Sequence, residues 1–455
     1  MATLAAAAGY MRGTLHGDDS RFDGVSTDTR TIREGELFVA LEGPNFDGRD
    51  YIDVARDKGA AGAVVSTLVD DAAAEIPQIV VGDSRRALGQ LGSAWRDQLA
   101  VTVIGITGSN GKTTLKEMTA ACLAGSASTL ATMGNLNNDI GMPLMLTRIE
   151  KGHRFAVLEM GANHVGEIAY LTAIARPDIV AITNAGEAHL EGFGSVDGIA
   201  RGKGEILCGE YRPGVAILNA DDHYYEYWST LVEDTRRISF GIEAPADVYA
   251  TEIASVDGGS RFRLCVPGGE AAVALPIAGR HNVRNACAAT AIAIAAGIDI
   301  ADIKLALENI EPVAGRLCPV DGPSGATVYD DSYNANPLSV VAAAEFLATL
   351  NGVSVLVLGD MYELGHDAPR FHRETGEKVR AAGVDRLLAT GDLSRSTADG
   401  FGDGATWYPN VEALVDALRD ELRPGLNVLV KGSRGMQMER VVEAIRADAT
   451  ERGEG

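Results

Sequence analysis

The sequence is poor in the features that mark secreted or membrane proteins. Its 455 residues contain five cysteines, and no two of them form a C-x-x-C pair. Scattered cysteines in odd number are typical of reduced thiols in a cytoplasmic protein. The start, MATLAAAAGYMRG, has no Lys or Arg ahead of its small apolar residues, so it lacks the charged segment that opens a secretory signal. The longest apolar run, ACAATAIAIAAGI, is too short to span a bilayer.

Positive charge is also scarce. The chain has 40 Lys and Arg residues against 63 Asp and Glu, a formal net charge of -23 at pH 7. DNA and anionic membranes bind basic surfaces, so neither nucleic-acid binding nor membrane insertion is predicted. The acidity indicates solubility, with a salt-adapted host as the alternative. Aromatic residues are only 5% of the chain, and no exposed apolar stripe indicates a protein partner.

Apolar residues, in contrast, make up 46% of the chain, and the length predicts about three domains. Apolar runs bounded by glycine and followed by helical periodicity recur, a pattern typical of mostly parallel α/β sheets. Within this pattern, VYATEIASVDG, RFRLCVPGG and AAVALPI predict an antiparallel ribbon. Pro and Gly make Pro312–Arg316 the best linker candidate. The predicted domains are residues 1–83, 84–313 and 314–455.

The stretch GITGSNGKTT, residues 105–114, lies between a predicted strand and a predicted helix. It departs from the Walker A spacing, because Ile106 stands where the first glycine would be. Its glycines let backbone N–H groups approach phosphate oxygens, and the helix N-terminus favours an anion. Lys112 is placed to reach the β- and γ-phosphates, and Thr113 offers a hydroxyl to Mg²⁺. The pattern favours a nucleotide phosphate loop over a plain strand–turn–helix junction.

Several polar residues follow apolar runs, where parallel sheets bind ligands. By residue type alone, Glu159 is equally a ligand-facing carboxylate or a capping acid, and His189 is more often structural than a ligand. Lys203 has the pattern of a solvent-exposed lysine. Asn282 has the pattern of a helix N-cap. The DDSYNANP turn is compatible with ordinary loop chemistry, and the turn Lys431–Arg434 with either an anion site or a basic surface turn.

Taken together, the motifs resemble those of the Mur ligase family, which includes folylpolyglutamate synthetase. The phosphate loop matches the family form G-x-T-G-[ST]-[NST]-G-K-[TS]-[TS]. Five further stretches match over nearly the whole chain and in the family's order: GVSTDTRTIREGELFVALEGPNFDGRDYI, TMGNLNNDIGMPLML, LEMGANHVGEI, TNAGEAHLEGFGS with RGKGEIL, and DDSYNANP with LGDMYELG.

The resemblance implies three domains: an N-terminal α/β uridine-nucleotide domain, a central P-loop ATPase domain with a mostly parallel sheet, and a C-terminal Rossmann-like α/β domain. It implies a monomeric, cytoplasmic ligase that uses ATP and an acyl phosphate to form a peptide bond in peptidoglycan precursor synthesis. The elements N-L-N-N, S-Y-N-A-N-P and G-D-M-x-E-L-G favour the member that joins D-alanyl-D-alanine to UDP-N-acetylmuramoyl-tripeptide. The alternatives are the sister ligase that adds diaminopimelate or lysine, and a non-catalytic nucleotide-binding homologue. The diaminopimelate-specific form of the sister ligase has a D-N-P-R motif, which this sequence does not contain.

The resemblance also implies roles for individual residues. The implied catalytic residues are Lys112, His189 and Lys203. Two Mg²⁺ ions are implied, with ligands Thr113, Glu159, His189 and a Lys203 carbamylated by CO₂; Arg201 is the alternative position for the modified residue, but the K-G-E-I match favours Lys203. The implied ATP contacts are Gly108, Ser109, Asn110, Gly111, Lys112, Thr113, Thr114, Asn282, Arg316 and Asp331. The implied substrate contacts are Ser26, Asp28, Thr29, Arg30, Thr132, Asn135, Asn137, Asn138, Asn334, Asn336, Lys431, Ser433 and Arg434.

Overall fold

The computed structural model of the chain describes residues 1–69, 75–232, 234–256 and 258–447. Over these residues the chain forms three α/β regions, and each has one main sheet. The predicted α/β class with a mostly parallel central sheet is confirmed. In the described part of the chain, no helix has both the length and the apolarity that a bilayer crossing requires.

The N-terminal region is built on a small mixed sheet. Its elements are β1 Ala2–Thr3, α1 Leu4–Tyr10, β2 Thr14–His16, β3 Arg21–Phe22, β4 Gly24–Ser26, β5 Glu36–Val39, β6 Glu42–Gly43, β7 Phe46–Asp47, α2 Ile52–Asp57, β8 Gly62–Val65, β9 Gln78–Val80 and α3 Ser84–Arg96. The sheet order is β2-β9-β8-β5-β4. Helix α3 is capped by Asp83, and its Trp95 indole donates to the Ile149 carbonyl at 2.8 Å, so it joins this region to the next one.

The central region contains the largest sheet. Its elements are β10 Thr102–Thr107, α4 Lys112–Ala124, β11 Thr129–Ala131, α5 Gly141–Thr147, β12 Phe155–Glu159, α6 Glu167–Ala175, β13 Ile179–Ile182, α7 Leu190–Phe193, α8 Val196–Gly204, β14 Val215–Asn219, α9 Tyr225–Thr230, β15 Arg236–Gly241, β16 Val248–Val256, β17 Gly259–Val266, β18 Gly269–Leu275, α10 Arg280–Ala295 and α11 Ile300–Glu308. The strand order is β11-β12-β10-β13-β14-β15-β16-β17-β18. Strand β17 is antiparallel to both of its neighbours, β16 and β18, so the predicted ribbon is confirmed.

The C-terminal region is a second parallel sheet with one antiparallel edge strand. Its elements are β19 Cys318–Asp321, β20 Thr327–Asp331, α12 Pro337–Ala348, β21 Val353–Leu358, α13 Ala368–Ala381, β22 Arg386–Thr390, α14 Ser394–Phe401, β23 Ala405–Tyr408, α15 Val411–Arg419, β24 Leu426–Lys431 and α16 Glu439–Ala444. The strand order is β19-β20-β24-β21-β22-β23, and only β19 pairs in the antiparallel sense.

The central core explains why the strand sequences are apolar without interruption. Successive residues of a strand point to opposite faces of its sheet. Ile104 and Val157 are buried in the cluster that contains α4 and α10, whereas Val103 and Leu158 are buried in the cluster on the other face. Both faces of β10 and β12 are therefore covered by helices, and their carboxyl ends are the edge left open for ligands.

One local prediction was wrong. Helix α10 begins at Arg280 with Gly279 as its N-cap, so Asn282 lies within the first turn and is not the N-cap. Its side-chain Nδ2 donates to the Ala278 carbonyl at 2.7 Å, and the residue is buried. Sequence reasoning missed this because Gly279, at φ +96, makes the turn into the helix three residues earlier.

Candidate active site

The phosphate loop connects the carboxyl end of β10 to α4, as predicted. Two of its glycines have positive φ, with Gly108 at +142 and Gly111 at +81. A Cβ on Gly108 would lie 1.9 Å from Thr183 Oγ1, which follows the neighbouring strand β13. No side chain fits at that position, so the loop backbone lies directly against the end of the next strand. There the Ser109 and Asn110 N–H groups both donate to Asn184 at 3.0 Å, which fixes the first half of the loop.

Lys112 is the first residue of α4 and folds back over the loop. Its Nζ donates to the Gly108 carbonyl at 2.7 Å and to the Ser109 carbonyl at 3.3 Å. Burial lowers the pKa of Lys112, while the Glu159 carboxylate opposes that shift. The ammonium group is thus held beside the anion-binding backbone, where low exposure strengthens its field.

Glu159 ends β12, on the opposite side of β10 from Thr183. Its Oε2 accepts from Thr113 Oγ1 at 3.0 Å, and its Oε1 accepts from Asn137 Nδ2 at 2.8 Å. Its backbone N–H donates to Thr132 Oγ1 at 2.9 Å. Thr132 itself is buried beneath the carboxylate and does not line the cleft. The loop threonine, the carboxylate and the N-L-N-N turn therefore form one polar cluster.

Lys203, on α8, is only 1% exposed, so the surface-lysine alternative does not apply to it. Its Nζ donates to the Ala162 carbonyl at 3.2 Å and lies 5.1 Å from the centre of the Phe193 ring. Burial, and to a smaller degree the charge of Lys112, lowers the pKa of Lys203 to about 7. A substantial fraction of this amine is neutral near pH 7, and a neutral amine is nucleophilic.

His189 stands at the start of α7 and faces the C-terminal region. Its Nδ1 is in contact with the Glu363 carboxylate, and this contact lowers the pKa of Glu363. The ring nitrogen is buried and makes no aligned hydrogen bond within the described residues, so the interaction is a close polar contact. Glu363 was not among the predicted residues, although LGDMYELG was singled out as a motif.

The C-terminal region reaches the phosphate loop through α12. Asn336 caps this helix, and its amide exchanges two hydrogen bonds with the Asn110 amide, at 2.7 and 3.3 Å. At the end of β24, the buried Lys431 donates to Asp331 Oδ2 at 2.7 Å and to the Asn334 carbonyl at 2.8 Å. Asn336 and Lys431, both predicted to bind substrate, thus form hydrogen bonds within the protein, and these bonds fix the geometry of the cleft wall.

Two adjoining clefts lie between the central and C-terminal regions. The first has a volume of about 330 Å³ and the second about 390 Å³. Predicted residues that line the first are Ser109, Asn110, Gly111, Lys112, Thr113, Asn135, Asn137, Asn138, Glu159, His189, Arg316, Asn334, Asn336, Lys431 and Arg434. Predicted residues that line the second are Asn110, Gly111, Thr114, Asn282, Arg316, Asp331 and Lys431.

Arg316 lines both clefts. Its Nη2 donates to Thr113 Oγ1 at 3.4 Å, and its guanidinium lies 4.2 Å from the centre of the Tyr333 ring. Arg434 lies over the same ring at 5.8 Å. Ser433 is buried nearby and accepts from the Tyr362 N–H at 2.8 Å. Tyr333 was missed, since an aromatic inside an Asp- and Asn-rich turn carries no separate signal.

Residues 26–30, for which the family resemblance implies a role in holding the uridine nucleotide, are called the uridine element here and lie apart from both clefts. Ser26 ends β4, Asp28, Thr29 and Arg30 follow it, and none of the four lines either cleft. The Arg30 and Asp28 side chains pair at 2.7 Å, and Arg30 is 87% exposed. The hydrogen bond to Asp28 raises the pKa of Arg30. The predicted substrate residues are thus divided between two separate surfaces.

Comparison with known proteins agrees with this architecture. The sequence profile described as "Mur ligase family, catalytic domain" matches residues 21–96, "Mur ligase middle domain" matches 106–293, and "Mur ligase, glutamate ligase domain" matches 315–434. The chain belongs to the Mur ligase family. A UDP-N-acetylmuramoyl-tripeptide–D-alanyl-D-alanine ligase of Escherichia coli K12 is 42% identical over 98% of this chain and 99% of its own. A ligase of the same name from Bacillus subtilis 168 is 34% identical over 97% of each chain.

Solved structures give the same result for the fold. A MurF crystal structure from Acinetobacter baumannii has a TM-score of 0.90 and 37% identity, and it covers 97% of this chain and 98% of that one. A MurF ligase from Thermotoga maritima in complex with ADP has a TM-score of 0.83 and 29% identity, and it covers 92% and 96%. A diaminopimelate ligase structure, at 18% identity and a TM-score of 0.55, shares the fold alone.

Proposed function

We propose that the chain is an ATP-dependent ligase that joins D-alanyl-D-alanine to UDP-N-acetylmuramoyl-tripeptide and releases ADP and phosphate. The observation that carries the proposal is the convergence of Lys112, Thr113 and Glu159 of the central region with Lys431 and Arg434 of the C-terminal region around one cleft. Relatives of that name match nearly the whole chain, which supports this member over the sister ligase. We further propose that it acts as a monomer in the cytoplasm.

Each side of the cleft suits one part of the reaction. The γ-phosphoryl group of ATP converts the tripeptide carboxylate into an acyl phosphate, since oxide is a poor leaving group. Lys112 and the loop N–H groups would stabilise the negative charge on the transferred group. The amine of the dipeptide then attacks the acyl carbon and phosphate leaves. The C-terminal region covers the cleft, and exclusion of water protects the acyl phosphate from hydrolysis.

The residues present fit a magnesium ion bound together with the nucleotide. Within the described residues no group of three His, Cys, Asp or Glu side chains forms a metal site by itself. Mg²⁺ usually takes one or two carboxylates and completes its shell with water and phosphate oxygens. Glu159 Oε2 and Thr113 Oγ1 lie 3.0 Å apart beside the phosphate loop and offer a carboxylate and a hydroxyl oxygen for such an ion. The ion would supply charge neutralisation for the phosphoryl oxygens.

We propose that Lys203 is carbamylated and that the carbamate and His189 would hold a second Mg²⁺. The pKa of about 7 leaves much of the amine neutral and able to add to CO₂. Addition of the neutral amine to CO₂ forms a nitrogen–carbon bond and releases one proton, which converts the buried neutral amine into an anion. An anion at that position would suit a divalent ion. In ¹³C-bicarbonate, we expect a carbamate carbon signal in the wild-type protein that is missing from Lys203→Met.

The second cleft suits the adenosine part of ATP, with Asn282 near the base and Asp331 near the ribose. The exposed element from Ser26 to Arg30 suits the UDP part of the sugar substrate, because Arg recognises phosphate by paired hydrogen bonds. The three asparagines of the N-L-N-N turn, Asn135–Asn138, line the first cleft, and we assign them to the sugar-peptide and the transferred phosphoryl group. Neutral amide donors there hold substrate oxygens without extra charge.

Phosphate release tests the proposal directly. Purified protein with ATP, Mg²⁺ and UDP-N-acetylmuramoyl-tripeptide is expected to release phosphate only when D-alanyl-D-alanine is added, and mass spectrometry is expected to find the pentapeptide product. Release with diaminopimelate or lysine and the dipeptide precursor would favour the sister ligase. No release with any combination would contradict ligase activity and favour a non-catalytic homologue.

A further inference from the structure

The motif Leu358–Gly365, LGDMYELG, follows β21, and the proposed chemistry leaves it without a role. Its residue Glu363 makes two contacts with the central region. The Glu363 carbonyl accepts from the Glu191 N–H at 3.2 Å, and the Glu363 carboxylate contacts His189 Nδ1. The contact therefore involves both the backbone and the side chain of a single residue.

The backbone at this contact is unusual on both sides. His189 has φ +58 and Glu363 has φ +62, the left-handed region that non-glycine residues rarely adopt. Such a conformation costs free energy and persists only where the surrounding structure imposes it. Two residues of this kind meet across the boundary between the regions, which indicates that their relative placement matters more than local backbone stability.

The loop that carries Glu363 is held firmly by its own region. The Met361 N–H donates to His372 Nε2 at 3.0 Å, and the Tyr362 N–H donates to Ser433 Oγ at 2.8 Å. Leu364 is buried at 4% exposure. On the other side, Leu190 packs against the cores of both regions. Rigid supports on both sides give Glu363 a defined position when the regions are docked.

Among the described residues, the polar group in contact with His189 Nδ1 is the Glu363 carboxylate. A carboxylate beside one ring nitrogen of histidine determines which nitrogen carries the proton and how the ring is oriented. With the proton on Nδ1, the lone pair resides on Nε2. The central region alone contains no substitute for this carboxylate among the described contacts of His189.

We propose that Glu363 is a positioning residue that orients His189 and keeps its proton on Nδ1 when the C-terminal region is docked. The site is then complete only when both regions meet, so docking of the amine-binding region and readiness for phosphoryl transfer are coupled. The role assigned to His189 rests on the proposed ligase function, whereas the contact itself does not.

Nitrogen NMR of the full chain labelled with ¹⁵N-histidine tests the contact without any turnover. The His189 signals are assigned by their loss in His189→Gln. At one fixed pH, Glu363→Gln and Glu363→Ala are expected to shift the Nδ1 signal of His189. The matched control is Asp367→Asn, an exposed carboxylate in the next turn, which is expected to leave it in place. An unchanged signal in both Glu363 variants would overturn the proposal.

Kinetics test the role. For Glu363→Ala we expect kcat to fall about tenfold or more, the usual effect of losing a carboxylate that orients a ligating histidine, with the KM values for ATP and dipeptide within about twofold. Glu363→Gln, which keeps an acceptor oxygen, is expected to retain part of kcat. Unchanged kcat, or a raised KM for the dipeptide alone, would overturn the positioning role. A wild-type protein without ligase activity would instead contradict the proposed function, and the NMR result would still stand.

Discussion

The first cleft, which the phosphate loop lines, and the uridine element differ in how far their cations are exposed to solvent. Burial lowers the pKa of Lys112 and Lys431, which line the cleft, and of Lys203, which contacts the lining residue Ala162. Lys203 and Lys431 are at most 3% exposed. In the uridine element, Arg30 is 87% exposed and pairs with Asp28 in solvent. Desolvated cations act strongly on a nearby transferred group. Solvent-exposed cations carry little desolvation cost, and they are suited to substrate recognition. The comparison predicts large effects on chemistry in the cleft and small effects on binding outside it.

The strongest test of the comparison is Lys112→Met. Loss of one preorganised donor of this kind typically costs about 100- to 1000-fold in kcat, because the charge developed in the transition state loses its partner. Phosphate release under saturating substrates measures the effect. The control is Lys151→Met, at an exposed position between α5 and β12, which is expected to keep full activity. A loss below about tenfold for Lys112→Met would break the comparison.

Asn336→Ala separates docking from helix capping. Asn336 both caps α12 and pairs with Asn110 of the phosphate loop, whereas Asn410 caps α15 through a 2.8 Å bond to the Ala413 N–H. Loss of either cap is expected to cost about 1 kcal/mol of stability, measured by denaturant unfolding. Only Asn336→Ala is expected to lower kcat/KM, by about tenfold or more, since both hydrogen bonds to the Asn110 amide are lost and each is worth about 0.5–1.5 kcal/mol. Equal activities for the two variants would argue against an interdomain role.

Arg30→Ala tests the exposed side of the comparison. We expect the KM for the UDP-sugar substrate to rise about tenfold, as for one charge-assisted contact, while kcat stays the same. Stability should change by less than about 0.5 kcal/mol, because the Asp28 pair lies in solvent. The control, Arg33→Ala, changes another exposed arginine nearby and is expected to leave KM unaltered. A fall in kcat with constant KM would place Arg30 in the chemistry instead.

A final test concerns the pH dependence of stability in the second cleft, where burial lowers the pKa of His281 to about 4 from 6.5. Between those two values the unfolded chain takes up a proton that the folded protein does not. The free energy of unfolding therefore falls as the pH decreases through this window, and this contribution is constant above it. Thermal unfolding of wild type and His281→Gln from pH 7.5 to 4 checks this. If the Tm of both proteins depended on pH in the same way, His281 would not be the group responsible.

The fold was predictable because its signals are local. Uninterrupted apolar runs such as FAVLE, which became β12, and the alternating segments of the β16–β18 ribbon each contain the pattern of their element. The start of α10 was not predictable, because Gly279 competes with Asn282 for the cap and only the packed structure decides between them. The domain limits 1–83, 84–313 and 314–455 stay predictions.

The candidate site was predictable only through motifs. The apolar strand ahead of Glu159 indicates a residue at a sheet edge, but nothing local indicates that Thr113 Oγ1 lies 3.0 Å away. The burial of Lys203 was invisible, since α8 contains several charged residues. Contacts across the regions, such as His189 with Glu363, join residues far apart in the chain. Such pairings depend on docking, which no single segment encodes.

The position of β24 has a consequence for how the chain is made. This strand follows all five other strands of its sheet in sequence, yet it lies between β20 and β21. Domains fold as units during synthesis, starting from the N-terminus. The N-terminal and central regions can therefore fold on the ribosome before β24, the strand that pairs with both β20 and β21, has been made. Until Leu426–Lys431 has been translated, the unpaired edges of both strands are exposed, and a nascent chain stalled there would be open to aggregation.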